Sequence, residues 1–157
     1  MAYAAKPPAC QGCPAYTFGL GFVPPEIPTR HTELVVIGQG PGAAEAHSSR
    51  PFHPDAPSGS MLTRWLNEAG WQRSRVLLTN VVWCWLPKSK GPGHATGSRD
   101  PKVSEINYCK AAHWGPLLSR YPDTLTVTVG APATRAILGV ETVSKYVGTF
   151  NHKETLL

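Results

Sequence analysis

Leu34-Val35-Val36-Ile37-Gly38-Gln39-Gly40-Pro41-Gly42 is the stretch whose reading decides the fold. The run Glu33 to Ile37 is short, apolar and closed by glycine, the pattern of a strand buried on both faces. Val76-Leu77-Leu78-Thr79-Asn80-Val81-Val82 repeats that pattern, and Thr124 to Val129 gives a third such segment. Between them, Met61 to Gly70 places apolar residues at helical spacing and ends on a glycine suited to a C-cap. Lys102 to Leu118 reads as a helix that starts beside Pro101 and carries Cys109. Pro132 to Leu138 reads as a helix between Gly130 and Gly139. Strands alternating with helices predict an α/β class with a mostly parallel sheet. Open sheets of that kind bind ligands beyond the C-terminal ends of their strands. Gly38–Gly42, Asn80 and Gly130 all fall at such ends. Gly38 to about Ser60 and residues 87–101 read as loops, and the tail from Val143 is weakly patterned.

Residues 1–30 are rich in proline, glycine and aromatics and read as irregular chain, because proline lacks an amide proton and restricts the residue before it. Such a segment needs an anchor. Cys10 and Cys13, spaced C-x2-C, together with Cys84 and Cys109 offer one as a shared metal site. The alternative is four unrelated buried thiols. The N-terminus, Met1-Ala2-Tyr3-Ala4-Ala5-Lys6, lacks the pattern of a secretory signal, and no apolar run approaches the ~18–20 residues of a membrane span. The expectation is an intracellular, cytoplasmic protein with no membrane partner. In a reducing compartment, cysteines are metal ligands more often than disulfides.

A length of 157 residues favours one domain over 1–157. Hydrophobic residues at 41% leave enough for a core, so 16 prolines and 15 glycines mean many loops rather than disorder. A formal charge of +5 is compatible with a polyanionic partner without selecting one.

Three motifs sit at the expected rim. Gly38-Gln39-Gly40-Pro41-Gly42 exposes backbone amides and lets a ligand approach Gly40, yet it lacks the Gly-Lys-Ser/Thr of a P-loop and the spacing of G-x-G-x-x-G. A tight strand-to-loop turn is its other reading. Arg50-Pro51-Phe52 puts an aromatic ring in a polar loop, where it stacks on a flat ligand or anchors the loop. Asn80, at a buried strand end, must find hydrogen-bond partners. Its amide suits the Watson–Crick edge of a pyrimidine, or it caps its own loop.

The ordered set Cys10-x2-Cys13, Gly38-Gln39-Gly40-Pro41-Gly42-x2-Glu45, Arg50-Pro51-Phe52, Thr79-Asn80-Val81-Val82-x-Cys84, Cys109 and Val129-Gly130-Ala131-Pro132-Ala133 resembles the family 4, iron–sulfur uracil-DNA glycosylases over about residues 8–150. Related N-terminal segments also occur in some phage DNA polymerases, so the resemblance implies the cytoplasm of a bacterial or phage-infected cell. The resemblance implies a three-layer α/β/α sandwich on a four-stranded parallel sheet, shortened at the C-terminus. It implies a [4Fe–4S] cluster on Cys10, Cys13, Cys84 and Cys109. Spacing alone leaves zinc open. It implies that Phe52 stacks on an extruded base, that Asn80 reads its edge, and that Gln39 and Glu45 stand where the family carries acidic residues, as the catalytic pair with Glu45 the carboxylate serving water on the sugar side. Glu45 has the alternative of a solvated loop carboxylate. The implied partner is DNA, single- or double-stranded and uracil-containing, acted on by a monomer.

This chain departs from the family at Gln39, a glutamine that can position water but not act as a base. It departs at Ala46, and in lacking a His-Pro-Ser-like segment: His53-Pro54 stands elsewhere, and no proline follows His152. The stretch between Cys84 and Cys109 is longer than the family's and carries Lys88, Lys90, His94 and Arg99, which suit phosphate or plain solvation. The expected function is recognition and excision of uracil or a related pyrimidine in DNA. The rival is a non-catalytic DNA-binding module of a phage replication assembly, and a third reading is a zinc-stapled domain with a protein partner.

Overall fold

In the computed structural model, which describes residues 2–91 and 94–148, three strands form one parallel sheet. These are β1 (Leu34–Gly38), β2 (Val76–Asn80) and β5 (Thr126–Thr128), in the order β2-β1-β5. All residues of β1 and β2 are buried, as their unbroken apolar runs require. Their side chains divide by parity. Val35, Ile37 and Leu77 pack with Ile106, Cys109, Trp114, Leu117 and Ala133 on one face. Leu34, Val36, Val76 and Leu78 pack with Phe52, Leu62 and Leu66 on the other. Trp114 and the loop residue Phe52 apart, the first group belongs to helices α3 (Val103–Cys109), α4 (Gly115–Leu118) and α5 (Ala131–Leu138), the second to α2 (Pro57–Glu68). Helices therefore cover both faces, giving three layers. The described sheet has three strands where the resemblance implied four.

The strand order puts a reversal at β1. The chain leaves β1 for α2 on one face, and leaves the neighbouring β5 for α5 on the opposite face. A crevice opens between the C-terminal ends of two strands that part in this way. Gly38 and Gly130 mark its two sides.

Local differences from expectation have local causes. The stretch 38–60 contains a short helix, α1 (Ala43–Ser48), whose first turn is held by Glu45 at the third position accepting the Gly42 N–H. Helix α2 begins at Pro57, four residues before the apolar periodicity, because proline tolerates a first turn. Residues 87–101 are not all loop: β3 (Ser89–Gly91) and β4 (His94–Thr96) pair antiparallel. The helix expected over 102–118 is interrupted by a π turn at Lys110–Trp114. Pro116 has no N–H to give the Ala112 carbonyl, and the widened turn absorbs the missing bond.

The N-terminal segment is irregular apart from one 3-10 turn at Pro8–Cys10. Its anchoring is not left to the cysteines. Glu26 and Leu78 exchange two backbone hydrogen bonds, Leu20 and Trp85 exchange two more, and Val23 donates to the Trp83 carbonyl. Residues 20–26 thus pair with the open edge of β2 at Leu78 and with the segment after it at Trp83 and Trp85. His152 and the rest of 149–157 lie outside the described residues.

Candidate functional site

The register Gly38↔Asn80 sets the last residues of β1 and β2 side by side. A Cβ on Gly38 would lie 2.6 Å from Asn80 Oδ1 and 2.6 Å from the tip of the Phe52 ring. Only glycine fits there, so Phe52 and Asn80 meet across it. Both are buried, at 4% and 3% exposure, with the body of the Phe52 ring in the α2-side core. The Asn80 carboxamide is buried without a hydrogen bond to its Nδ2 among the described residues, as is Thr79 Oγ1. An orphaned buried amide costs about 1–3 kcal/mol, and such a group calls for an acceptor brought by something else.

Phe52 is held in a left-handed conformation, φ 48°, that costs a non-glycine residue of order 1–3 kcal/mol. Its surroundings over-determine it. Glu45 Oε1 accepts the Phe52 N–H at 2.5 Å, while Oε2 accepts the Gly42 N–H at 2.7 Å. On the other side, Arg73 donates to the carbonyls of Pro51 and Phe52, each at 2.8 Å. Arg73 also forks onto Glu26, which pairs in turn with Arg50. Burial opposes ionisation of Glu26, but the hydrogen bonds from Arg73 and Arg50 outweigh it and hold the carboxyl below its usual range. The α2 helix closes the clamp at Gly59, where any side chain would collide with the His53 and Phe52 backbone. Glu45, expected as a water-activating carboxylate or a solvated loop residue, is neither exposed nor unengaged: it is 4% exposed and both oxygens serve backbone amides.

Gln39, the first residue past β1, lies in the crevice. Its Oε1 is 3.8 Å from where a Gly130 Cβ would stand, and its Nε2 donates to Asp100 Oδ1 at 2.8 Å. A cleft of about 200 Å³ opens beside it, lined by Gln39, Gly40, Pro41, Ser98, Arg99 and Pro101 among others. Gly40 packs against Val82, leaving no room for a side chain.

Cys10, Cys13, Cys84 and Cys109 line one cavity with about 390 Å³ of empty volume, together with Lys6 and His113. No disulfide joins them. Among the described residues no three His, Cys, Asp or Glu side chains close on a single metal-ion position. Burial pushes the Cys84 thiol up to about 11 and Cys109 further, and each charge nearby from another of the four would raise them more. Lys6 opposes that rise at Cys84 and Cys10. The π turn after Cys109 brings His113 Nε2 within 3.1 Å of Cys10 Sγ and stacks its ring on Trp83. Four thiols around a shared space, with a lysine beside them, are chemically suited to holding an anionic, thiolate-bound group.

The family model described as the uracil DNA glycosylase superfamily matches residues 24–156. The chain belongs to that superfamily. Among curated relatives, it is 32% identical over 134 residues to the type-4 uracil-DNA glycosylase of Sulfurisphaera tokodaii, covering 82% of this chain and 53% of the relative. It is 30% identical over 151 residues to that of Saccharolobus solfataricus, covering 90% and 62%. It is 36% identical over 83 residues to that of Thermotoga maritima, covering 53% and 42%. The chain thus spans roughly half the length of the relatives it matches. The superfamily fold accords with the parallel sheet between helical layers.

Arg73, Glu26, Asp100, Lys6 and His113 were not singled out by sequence. Glu26 and Arg73 are 47 positions apart, and no periodic signal links them. Asp100 carried one usable clue, its place next to Pro101 where a loop hands over to a helix.

Proposed function

We propose that the chain recognises uracil, or a closely related pyrimidine, in DNA and hydrolyses its N-glycosidic bond. The observation that carries this is the unpartnered Asn80 amide meeting Phe52 across Gly38 at the strand ends. A base out of the stack brings carbonyl acceptors and a flat face, the two things this pair lacks. Asn80 Nδ2 donates to a base carbonyl, which favours negative charge on the departing pyrimidine. Phe52 supplies a ring face, and Glu45 with Arg73 fixes that ring's backbone rather than touching the base. The amide of Gln39 orients water on the sugar side. The formal charge of +5 assists approach to the phosphate backbone.

The four cysteines would hold a [4Fe–4S] cluster, whose part is to tie residues 8–18 to α3 and the segment after β2. Sulfurs ringing a common space, rather than meeting at one point, favour a cluster over zinc. The raised thiols mean that loading displaces protons and that affinity climbs with pH. Hydrolysis itself needs no electron.

Incubating cluster-loaded protein with a uracil-containing oligonucleotide, then alkali, should cut the strand at uracil and leave a thymine control intact. No cutting at any pH or salt, with iron and sulfide at four per chain, would falsify excision. One observation favours a second reading, a binding module without turnover: Glu45 has no oxygen to spare and Gln39 is not a base. Retention of uracil-containing DNA without cleavage would select it.

A further inference from the structure

We propose that Asp100 is the carboxylate that activates water in this chain, with Gln39 as the amide that aims it; this rests on the excision reading above. Hydrolysis of an N-glycosidic bond requires a proton acceptor beside the attacking water. Of the carboxylates near the rim, Glu45 is spent on two backbone amides, and Glu26 and Glu105 are each tied to arginine. Asp100 is exposed, and among the described residues it has no ion-pair partner. Its Oδ1 receives the Gln39 amide at 2.8 Å, which leaves Oδ2 for water.

Its position is built rather than incidental. Arg99 donates to the Asp100 carbonyl at 2.9 Å. The same guanidinium forks onto Glu105 at 2.9 and 2.6 Å, and Glu105 is 3% exposed. Glu105 also accepts the Lys102 N–H at 2.7 Å, fastening the start of α3. Asp100 is therefore gripped at its own carbonyl and two residues beyond. Gln39 reaches it from the crevice between β1 and β5, one residue past the glycine where Phe52 and Asn80 meet. Arg99 and Pro101, its two neighbours, line the cleft that Gln39 and Gly40 also line.

In the step itself, Asp100 Oδ2 takes one proton from water as the water oxygen bonds to the sugar C1′. The C1′–N bond breaks, and its electron pair leaves on the pyrimidine, held by the Asn80 amide. The proton on Asp100 then passes to the departed base anion through solvent, which restores the carboxylate. Sugar hydroxyl and free base account for every atom of the water.

Moving the carboxylate tests the assignment. Asp100→Asn should lower the single-turnover excision rate by at least about 100-fold, the usual lower bound for a lost general base. Its affinity for an oligonucleotide carrying an uncleavable uracil analogue, and its melting temperature, should match wild type. Gln39→Glu added to Asp100→Asn places a carboxylate one hydrogen bond away and should recover about tenfold or more of the lost rate. The assignment is overturned if Asp100→Asn stays within about threefold of wild type, if binding falls in step with rate, or if the double variant is no faster than the single. An inert wild type that still binds uracil-containing DNA sinks the excision reading itself, and this assignment with it.

Discussion

A methyl group at Gly38 would arrive 2.6 Å from both the Phe52 ring and Asn80 Oδ1, neither of which has space to retreat. Gly38→Ala should therefore destabilise by about 1–3 kcal/mol, the usual cost of overpacking, and weaken uracil binding more than bulk DNA binding. Urea unfolding and competition with uracil-free DNA measure the two. Asn80→Ala should behave in the opposite way. Its Nδ2 makes no hydrogen bond among the described residues, so stability should change by no more than about 1 kcal/mol while discrimination between uracil and cytosine collapses. Global unfolding of that variant would contradict the role given to the amide. The residue scale also exposes the reach of motif reading. Gly38, Phe52 and Asn80 were legible as glycine, aromatic and carboxamide at strand ends. The role of Glu45 was not, because a motif shows which acid is present and never what its oxygens touch.

The loop 50–52 behaves as an element although it is neither helix nor strand. Its backbone is gripped by Glu45 and Arg73, and Arg73 is gripped by Glu26. Arg73→Met should leave the Glu26 carboxylate and two carbonyls short of a donor. The expected cost is about 1–3 kcal/mol, less than for a fully buried pair because Glu26 is 27% exposed. Amide hydrogen exchange at Phe52 and His53 should then quicken while the strands stay protected, which checks that the loss is local. The two arginine-held carboxyls also predict the acid limb of stability. Glu26 and Glu105 titrate below their ordinary value of 4.5, so they stabilise the fold above that pH. The contribution is lost as pH falls through 4.5 toward their folded values. Glu105→Gln should flatten that limb in pH-dependent melting, and an unchanged slope would count against the Arg99–Glu105 anchor. None of these pairs was visible beforehand: Glu26 lies 24 positions from Arg50 and 47 from Arg73, and Glu105 lies 6 from Arg99 across a loop, separations that carry no periodic mark. The pairing of β3 with β4 escaped too, since three-residue strands are too short for alternation to register.

Over the whole molecule, two attachments hold the leading segment. Backbone pairing along β2 secures residues 20–26, and the cysteine cavity joins residues 8–18 to α3. With the proposed cluster on the four cysteines, its removal by oxidation and chelation should therefore free only residues 8–18. Limited proteolysis should cut before Leu20 in stripped protein while the sheet's circular dichroism persists. Cys10→Ser should do the same to a lesser degree. Loss of the whole fold would mean that the pairing along β2 cannot stand without the cluster.

Unbroken apolar runs ending in glycine, alternating with helical periodicity, determined a parallel sheet between helices, because burial on both faces leaves no other composition for a strand. The four cysteines, the aromatic and the carboxamide were likewise written in the chain. Tertiary structure alone decided that Gly38 and Asn80 share a register, that Glu45 faces the backbone rather than water, and that Asp100 returns to the rim beside Gln39. Those outcomes depend on where side chains far apart in sequence come to rest, and the energies that place them are pairwise in space, not in order along the chain.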